Sequence, residues 1–190
     1  MTKRYTVSFP NYTIGEEAYD KIREICPRYG KTVVVIGGRE GVEAAQEKMV
    51  KAVEGVGLEF TGFIHASGQT TRSTIARIAN DSAVAEADMI FAVGGGKVID
   101  TAKAVAHTVN KPYFTFPTVA GSCAASASIA TVYEPDGRFR EYLYSIVPPV
   151  HVFICTRILV HAPVEVLLRG IGDLERLTAK VAVGRISPRE

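Results

Sequence analysis

Short apolar runs alternate with amphipathic segments along most of the chain. Runs of β-branched and other apolar residues predict buried strands over residues 31–36, 58–64, 87–93 and 112–116. Apolar residues at helical spacing predict helices over residues 40–53, 70–85 and 98–109. Because strands and helices of this size take turns, the pattern predicts parallel crossover units, and therefore an α/β fold with a doubly wound parallel sheet.

The pattern changes after Pro117. Small residues fill positions 121–127, which we expect to form a loop or a helix start against a ligand. A hairpin is predicted from strands at 128–134 and 140–144, and a further strand at 150–155. Pro163 suits the first turn of a helix, which Gly170 to Asp173 should interrupt before a second helix begins. We therefore expect an α/β domain over 1–161 and only the start of a helical domain over 162–190.

Composition narrows the class of protein. The chain has 190 residues, of which 47% are hydrophobic and 22% charged, and this is typical of a globular protein. The net charge of +2, with acids and bases interleaved, gives no electrostatic case for nucleic acid. The apolar runs are too short to span a bilayer, and we expect no secretory signal because no apolar run follows the first residues. Three widely spaced cysteines form no CxxC unit, which favours a cytoplasmic protein without zinc knuckles or disulfides.

The sharpest local feature is the glycine turn that follows the third predicted strand. Gly94, Gly95 and Gly96 would let the backbone approach a bulky anion, and the next helix offers free N–H groups and a positive dipole end to a pyrophosphate. Lys97 could add charge, and Asp100 could cap the turn or contact the ligand. The alternative is a tight turn whose glycines only satisfy backbone geometry.

A second glycine turn, Gly37 and Gly38, follows the first predicted strand. In a doubly wound sheet the two turns can face the same crevice at the carboxyl ends of the strands. Arg39 would then lie near the adenosine ribose, where a cation favours a 2′-phosphate; the alternative is a solvated arginine. Thr118, after the next strand, could donate a hydrogen bond to a phosphate or to nicotinamide. Cys123 is either a reactive thiol or a small packed residue.

Three blocks of sequence together resemble the iron-type (group III) alcohol dehydrogenases, and most of all glycerol dehydrogenase and its hydroxycarboxylate-active relatives. They are residues 94–103 (GGGKVIDTAK), Pro117-Thr118, and residues 170–173 (GIGD). The resemblance implies a Rossmann-like, dehydroquinate synthase-like N-terminal domain that binds NAD or NADP, and an all-helical C-terminal domain. It also implies a divalent metal, zinc or iron, that polarises the oxygen of a small alcohol or a hydroxy or oxo acid for hydride transfer.

The resemblance also assigns residues to the site. It places the pyrophosphate region at Gly94, Gly95, Gly96, Lys97 and Asp100, and it brings Thr118 to the cofactor from the neighbouring loop. It implies that the nicotinamide end is lined by Ala127, Ile129 and Tyr133, and that Asp173 is the first metal ligand.

Two departures from the family's pattern bear on specificity. Cys123 stands where glycerol dehydrogenases carry an aspartate that contacts the polyol, which favours hydroxycarboxylate substrates. Gly38 stands where an acidic residue often excludes a 2′-phosphate, so that either NAD or NADP is allowed.

The metal site is expected to be incomplete in this chain. The family's other two metal ligands are histidines beyond position 190, and residues 174–190 contain neither histidine nor cysteine. A catalytic zinc needs about three protein ligands. We therefore expect a chain truncated after its cofactor-binding domain, and whether it is an enzyme by itself stays open. The alternative is a non-catalytic nucleotide-binding or oligomerising module, and the apolar residues of 164–168 favour a homo-oligomer.

Overall fold

The computed structural model describes the backbone of residues 10–144 and 147–182, and the side chains of these residues except 173, 174 and 176–182. The strands are β1 Asn11–Gly15, β2 Thr32–Gly37, β3 Glu59–His65, β4 Met89–Gly94, β5 Tyr113–Pro117, β6 Ile129–Tyr133, β7 Phe139–Tyr144 and β8 His151–Cys155. The α-helices are α1 Ile22–Ile25, α2 Arg39–Val53, α3 Arg72–Ala79, α4 Ser82–Glu86, α5 Gly96–Val109, α6 Thr156–Leu159 and α7 Val164–Ala182. Short 3₁₀ turns occupy Ala18–Lys21, Cys26–Tyr29 and Cys123–Ala125.

The described strands form a main sheet in the order β1-β8-β5-β4-β2-β3, in which every neighbouring pair is parallel. From β2 the chain moves outward to β3 and then returns to the other side of β2 to form β4. The strand order therefore reverses between β2 and β4. In open α/β sheets such a reversal opens a crevice outside the carboxyl ends of the strands, and this is where ligands bind.

Helices cover both faces of the main sheet, as a parallel sheet requires. On one face α1 and α2 pack on alternate residues of β2, β4 and β5, and Phe91, Phe114, Phe116 and Phe153 form the centre of this layer. On the other face α3, α4 and α5 pack on the intervening residues of the same strands. The strands are buried on both faces, which explains why they are continuous apolar runs in the sequence. The α/β, doubly wound prediction is confirmed.

The antiparallel hairpin of β6 and β7 forms a separate two-stranded sheet. It packs against α5 through Ala130 and Val132, which are buried in the same core layer as that helix.

Two predicted elements are wrong in detail, and three elements were not predicted: strand β1 and the short helices α1 and α6. The segment predicted as one helix over 70–85 contains two helices, α3 and α4. The second helix has its own start, because the side chain of Asp81 accepts a hydrogen bond of 2.9 Å from the amide of Ala83 and so caps α4. Residues 170–173 do not interrupt a helix, since α7 runs through them. The N-terminal strand β1, which pairs with β8, was not predicted. The domain boundary at 161–162 stays a prediction, and residues 183–190 lie outside the described residues.

Candidate functional site

The two glycine turns meet at the point where the strand order reverses. The amide of Gly38 donates a hydrogen bond of 3.2 Å to the carbonyl of Val93, and it thereby joins the end of β2 to the end of β4. Val98 packs between the turns, since its methyl groups lie 3.3 Å from the positions that a Cβ would take at Gly38 and at Gly94. The expectation that both turns face one crevice therefore agrees with the geometry.

Helix α5 begins directly at this crevice. Gly94 has a φ of +142°, which favours glycine, and Gly95 is the N-cap of the helix. No side chain of the described residues caps the start of α5 or of α2, so amide N–H groups at both helix ends are available to an anion. Lys97 is exposed in the first turn of α5, where its ammonium adds positive charge.

Thr118 and Gly41 complete the floor of the crevice. The amide of Thr118 donates to the carbonyl of Gly94 at 3.2 Å, which fastens the end of β5 to the turn after β4. Gly41, in the first turns of α2, was not singled out from the sequence. A Cβ there would lie 3.0 Å from Gly94 Cα and 3.1 Å from Thr118 Oγ1. Gly41 therefore lets α2 approach the turn, a role that only the fold reveals.

Arg39 lies at the start of α2, immediately after the second turn, and its side chain is exposed. Gly38 carries no side chain to repel an anion at this place. A guanidinium beside a residue that has no side chain is an arrangement suited to bidentate phosphate binding. It is equally the arrangement of a solvated arginine.

Asp100 has a place in the structure that differs from a simple turn cap. It lies in the second turn of α5, where its Oδ1 forms an ion pair of 2.8 Å with Lys103 Nζ. Its Oδ2 accepts a hydrogen bond of 3.1 Å from the amide of Thr131 in β6. The carboxylate therefore ties α5 to the hairpin, and the sequence reasoning missed its partner Lys103.

Lys103 is buried, with 1% of its side chain exposed. Its ammonium donates to the carbonyls of Ala124 at 2.9 Å, of Ala127 at 3.1 Å and of Ile129. Burial lowers the pKa of Lys103, and the neighbouring Asp100 carboxylate partly opposes that change. A lysine on a helix whose other buried neighbours are small and apolar was the available signal in the sequence.

Two of the three residues expected at the nicotinamide end, Ala127 and Ile129, belong to the segment whose carbonyls bind Lys103. Ala127, Ile129 and Tyr133 are all half-buried, in the loop before β6 and in β6 itself. The amide of Tyr133 donates to the carbonyl of Thr70 at 2.8 Å, so this residue lies farther along the hairpin than the other two. Cys123, a free and exposed thiol, begins the 3₁₀ turn next to Ser122. Ser122 Oγ lies 2.6 Å from the position of a Cβ at Gly96, which places this segment beside the start of α5.

The described side chains do not form a metal centre. Among residues 10–144, 147–172 and 175, no three His, Cys, Asp or Glu side chains come together in a way that could hold an ion. Asp173 lies in α7, and its side chain is outside the described residues. The described side chains therefore provide no metal site by themselves.

The class of protein follows from the fold and a comparison of the sequence with known families. The family described as iron-containing alcohol dehydrogenase matches residues 10–154. The match covers the crevice and the main sheet up to Ile154, and the chain therefore belongs to this family. No helix of the described residues is both long and apolar enough to cross a membrane.

Among curated proteins, the chain is 30% identical over 171 residues to glycerol dehydrogenase 1 of Schizosaccharomyces pombe, with 90% of this chain and 38% of that protein covered. It is 32% identical over 140 residues to hydroxycarboxylate dehydrogenase A of Escherichia coli, with 74% and 38% covered. The chain thus spans about two fifths of the length of these relatives.

Solved structures agree with this assignment. The crystal structure of the Schizosaccharomyces pombe glycerol dehydrogenase superposes with a TM-score of 0.80 at 29% identity, and 90% of this chain and 44% of that chain are covered. An iron-containing alcohol dehydrogenase of Thermotoga maritima has a TM-score of 0.73 at 20% identity, with 87% and 51% covered, which shows the shared fold alone.

Proposed function

We propose that this chain binds a nicotinamide dinucleotide, NAD or NADP, across the crevice between β2 and β4. The carrying observation is the hydrogen bond from Gly38 to Val93, because it brings two glycine turns and two uncapped helix starts to one place. The pyrophosphate would lie at the start of α5, where helix amides and Lys97 supply positive charge. The adenosine half would extend toward Arg39 and the other half toward Thr118 and the 123–129 segment.

We propose further that the chain is the cofactor-binding part of an oxidoreductase whose substrate is a small alcohol, a polyol or a hydroxy or oxo acid. The names of the relatives support this class of reaction. Bound nicotinamide would supply the hydride acceptor or donor, while the residues of this chain bind and orient it. Exposed Cys123 at the rim of the crevice favours a hydroxy or oxo acid over glycerol, because no carboxylate is present at this position to accept polyol hydroxyls.

The proposal is tested by calorimetric titration of the chain with NADH and with NADPH. Saturable binding at one site per chain is expected. Replacement of Gly95 by leucine would place a side chain at the N-cap of α5, where Val119 is already 3.2 Å from a Cβ, and should weaken binding at least about tenfold, or about 1.4 kcal/mol. The control Ala76→Leu introduces the same side chain at an exposed position of α3 and should bind as the wild type does. A folded wild-type chain that binds neither nucleotide would refute the proposal.

One observation favours a second candidate function, that of an interaction module. Four large apolar side chains of α7 are 44–64% exposed: those of Val164, Leu167, Leu168 and Ile171. A patch of this kind on a soluble protein commonly marks a surface that another chain covers. A homo-oligomer in which α7 packs against a second copy is therefore the alternative. Sedimentation of the wild type and of Leu168→Glu distinguishes the two, since only a module of this kind dissociates when the charge is introduced.

A further inference from the structure

The side chain of Lys103 holds a segment that the nucleotide is proposed to touch. Its ammonium is bound to three backbone carbonyls, at positions 124, 127 and 129, and these lie on both sides of the loop that leads into β6. Loops of small residues have little side-chain packing of their own. An ammonium that donates hydrogen bonds to several of their carbonyls therefore fixes the path of the backbone, much as a bound ion would.

Asp100 extends these contacts from the loop to the hairpin. Through the ion pair with Lys103 it keeps a negative charge next to the buried ammonium, and through Oδ2 it binds the amide of Thr131. The two residues are three positions apart on α5, one helical turn, so both face the same segment. A third contact comes from β5, where Thr115 Oγ1 donates to the carbonyl of Ala125 at 2.7 Å.

Filling this space with a buried cation is energetically unfavourable in itself. Burial of an ammonium is strongly unfavourable unless hydrogen bonds and an opposite charge offset the loss of water. Lys103 has both kinds of partner in full, which means that the site is built around the charge. An apolar side chain of the same length would fill the volume, but it would leave three carbonyls and a carboxylate without their partner.

The held segment forms the wall of the crevice on the side of β5. Ser122 approaches Gly96 at the start of α5, and Cys123–Ala125 continue from it. The dinucleotide is proposed to cross the switch point with its adenosine half on the side of β2 and β3. The wall on the side of β5 would then face the nicotinamide half only.

We propose that Lys103, with Asp100, is a positioning residue that sets the wall of the nicotinamide subsite, an inference that depends on the proposed nucleotide binding. It acts through the backbone of residues 124–129 and does not touch the cofactor. Its loss should therefore weaken recognition of the nicotinamide half while leaving the adenosine and pyrophosphate half bound.

The test compares the affinities of NADH and of ADP-ribose, which lacks nicotinamide, by calorimetry. In Lys103→Met we expect the NADH affinity to fall by about tenfold or more while that of ADP-ribose changes by less than about twofold. Lys103→Arg should restore part of the NADH affinity, because it keeps the charge and its donors. Asp100→Asn, which removes the counter-charge and is the milder change, should shift the same ratio in the same direction.

Lys111 provides a matched control. Its ammonium also donates hydrogen bonds to three backbone carbonyls, those of Val84, Ala85 and Ala87. These lie at the end of α4, away from the crevice. Lys111→Met should lower the stability of the protein without changing the ratio of the two affinities.

The possible failures are distinguishable. Equal loss of NADH and ADP-ribose in Lys103→Met, or an unchanged NADH affinity, overturns the positioning role and leaves the proposed nucleotide site intact. If Lys103→Met does not fold, the ratio in Asp100→Asn decides, and an unchanged ratio there also overturns it. A wild-type chain that binds neither ligand overturns the proposed function itself.

Discussion

The amide of Gly38 and the carbonyl of Val93 are 3.2 Å apart and joined by a hydrogen bond, although 55 positions separate them in the chain. This bond connects the carboxyl ends of β2 and β4, the two strands between which the order of the sheet reverses. It therefore marks the position of the crevice of the doubly wound fold, and the starts of α2 and α5 both lie at this crevice. The proposed nucleotide site rests on this relationship.

The approach of α7 to the crevice depends on the absence of a side chain at Gly170. A Cβ at this position would lie 2.2 Å from the carbonyl oxygen of Ala120, whereas a Cβ at Gly172 would contact nothing within 4 Å. We expect Gly170→Ala to lower the free energy of unfolding by about 1–3 kcal/mol because helix and loop must separate. Gly172→Ala should raise it by about 0.5–1 kcal/mol through helix propensity. Urea denaturation checks both, and equal effects of the two substitutions would contradict the close approach.

Arg39 is expected to set the preference between the two nucleotides. A charge-assisted hydrogen bond to a 2′-phosphate contributes about 1.5–3 kcal/mol, so Arg39→Glu should weaken NADPH binding by about tenfold or more. NADH, which lacks that phosphate, should be affected much less. Arg77→Glu, an equal change of charge at an exposed position of α3, is the control. A parallel loss of both nucleotides in Arg39→Glu would mean that the arginine does not read the 2′ position.

His151 should make the protein sensitive to mild acid. Its ring is buried beside Phe153 and within 2.8 Å of Thr13 Oγ1, and desolvation lowers its pKa below the ordinary 6.5. Between its folded pKa and 6.5 the unfolded chain binds more protons, so the contribution of His151 is fully present above pH 6.5 and is lost as the pH falls through that window. His151→Gln should have a flatter dependence of unfolding free energy on pH between about 7 and about 5. An unchanged slope would rule His151 out as the source.

The aromatic layer under β5 and β8 should dominate core stability. Phe116 and Phe153 are stacked at 4.9 Å with an interplanar angle of 13°, and both are fully buried. We expect Phe116→Ala to lower the free energy of unfolding by about 3–5 kcal/mol. Phe139→Ala, in exposed strand β7, removes the same ring and should cost less than about 1 kcal/mol. Chemical denaturation compares the two, and similar losses would contradict the assigned core.

The sequence predicted strands β2, β3, β4, β5 and β8 and helices α2 and α5 because these strands are continuous apolar runs and these helices have apolar stripes. It also indicated both glycine turns. It could not give their mutual contact, because the position of Gly38 against Val93 depends on which strands are neighbours. The low helix propensity of glycine predicted a break at Gly170 and Gly172, but α7 continues through both. Close packing against Ala120 requires glycine at the first of these positions.

The contacts of the Asp100 side chain likewise could not be predicted from the sequence. Its position after the glycine turn suggested a contact with the ligand or a turn cap, while the structure gives its carboxylate to Lys103 and Thr131. Thr131 lies 31 positions later in the chain, and no periodicity in α5 indicates that it is a partner. Burial of Lys103 is likewise a property of the assembled layers.

Nucleotide binding at the crevice is tested by mapping the amide chemical shifts of the ¹⁵N-labelled protein by NMR spectroscopy as NADH is added. We expect the largest changes on residues 37–39, 94–98 and 118, around the meeting point of the two turns, with a second group at 123–129. Changes confined to another surface, such as the groove between Tyr12, Arg28 and His151 at the opposite end of the sheet, would contradict it.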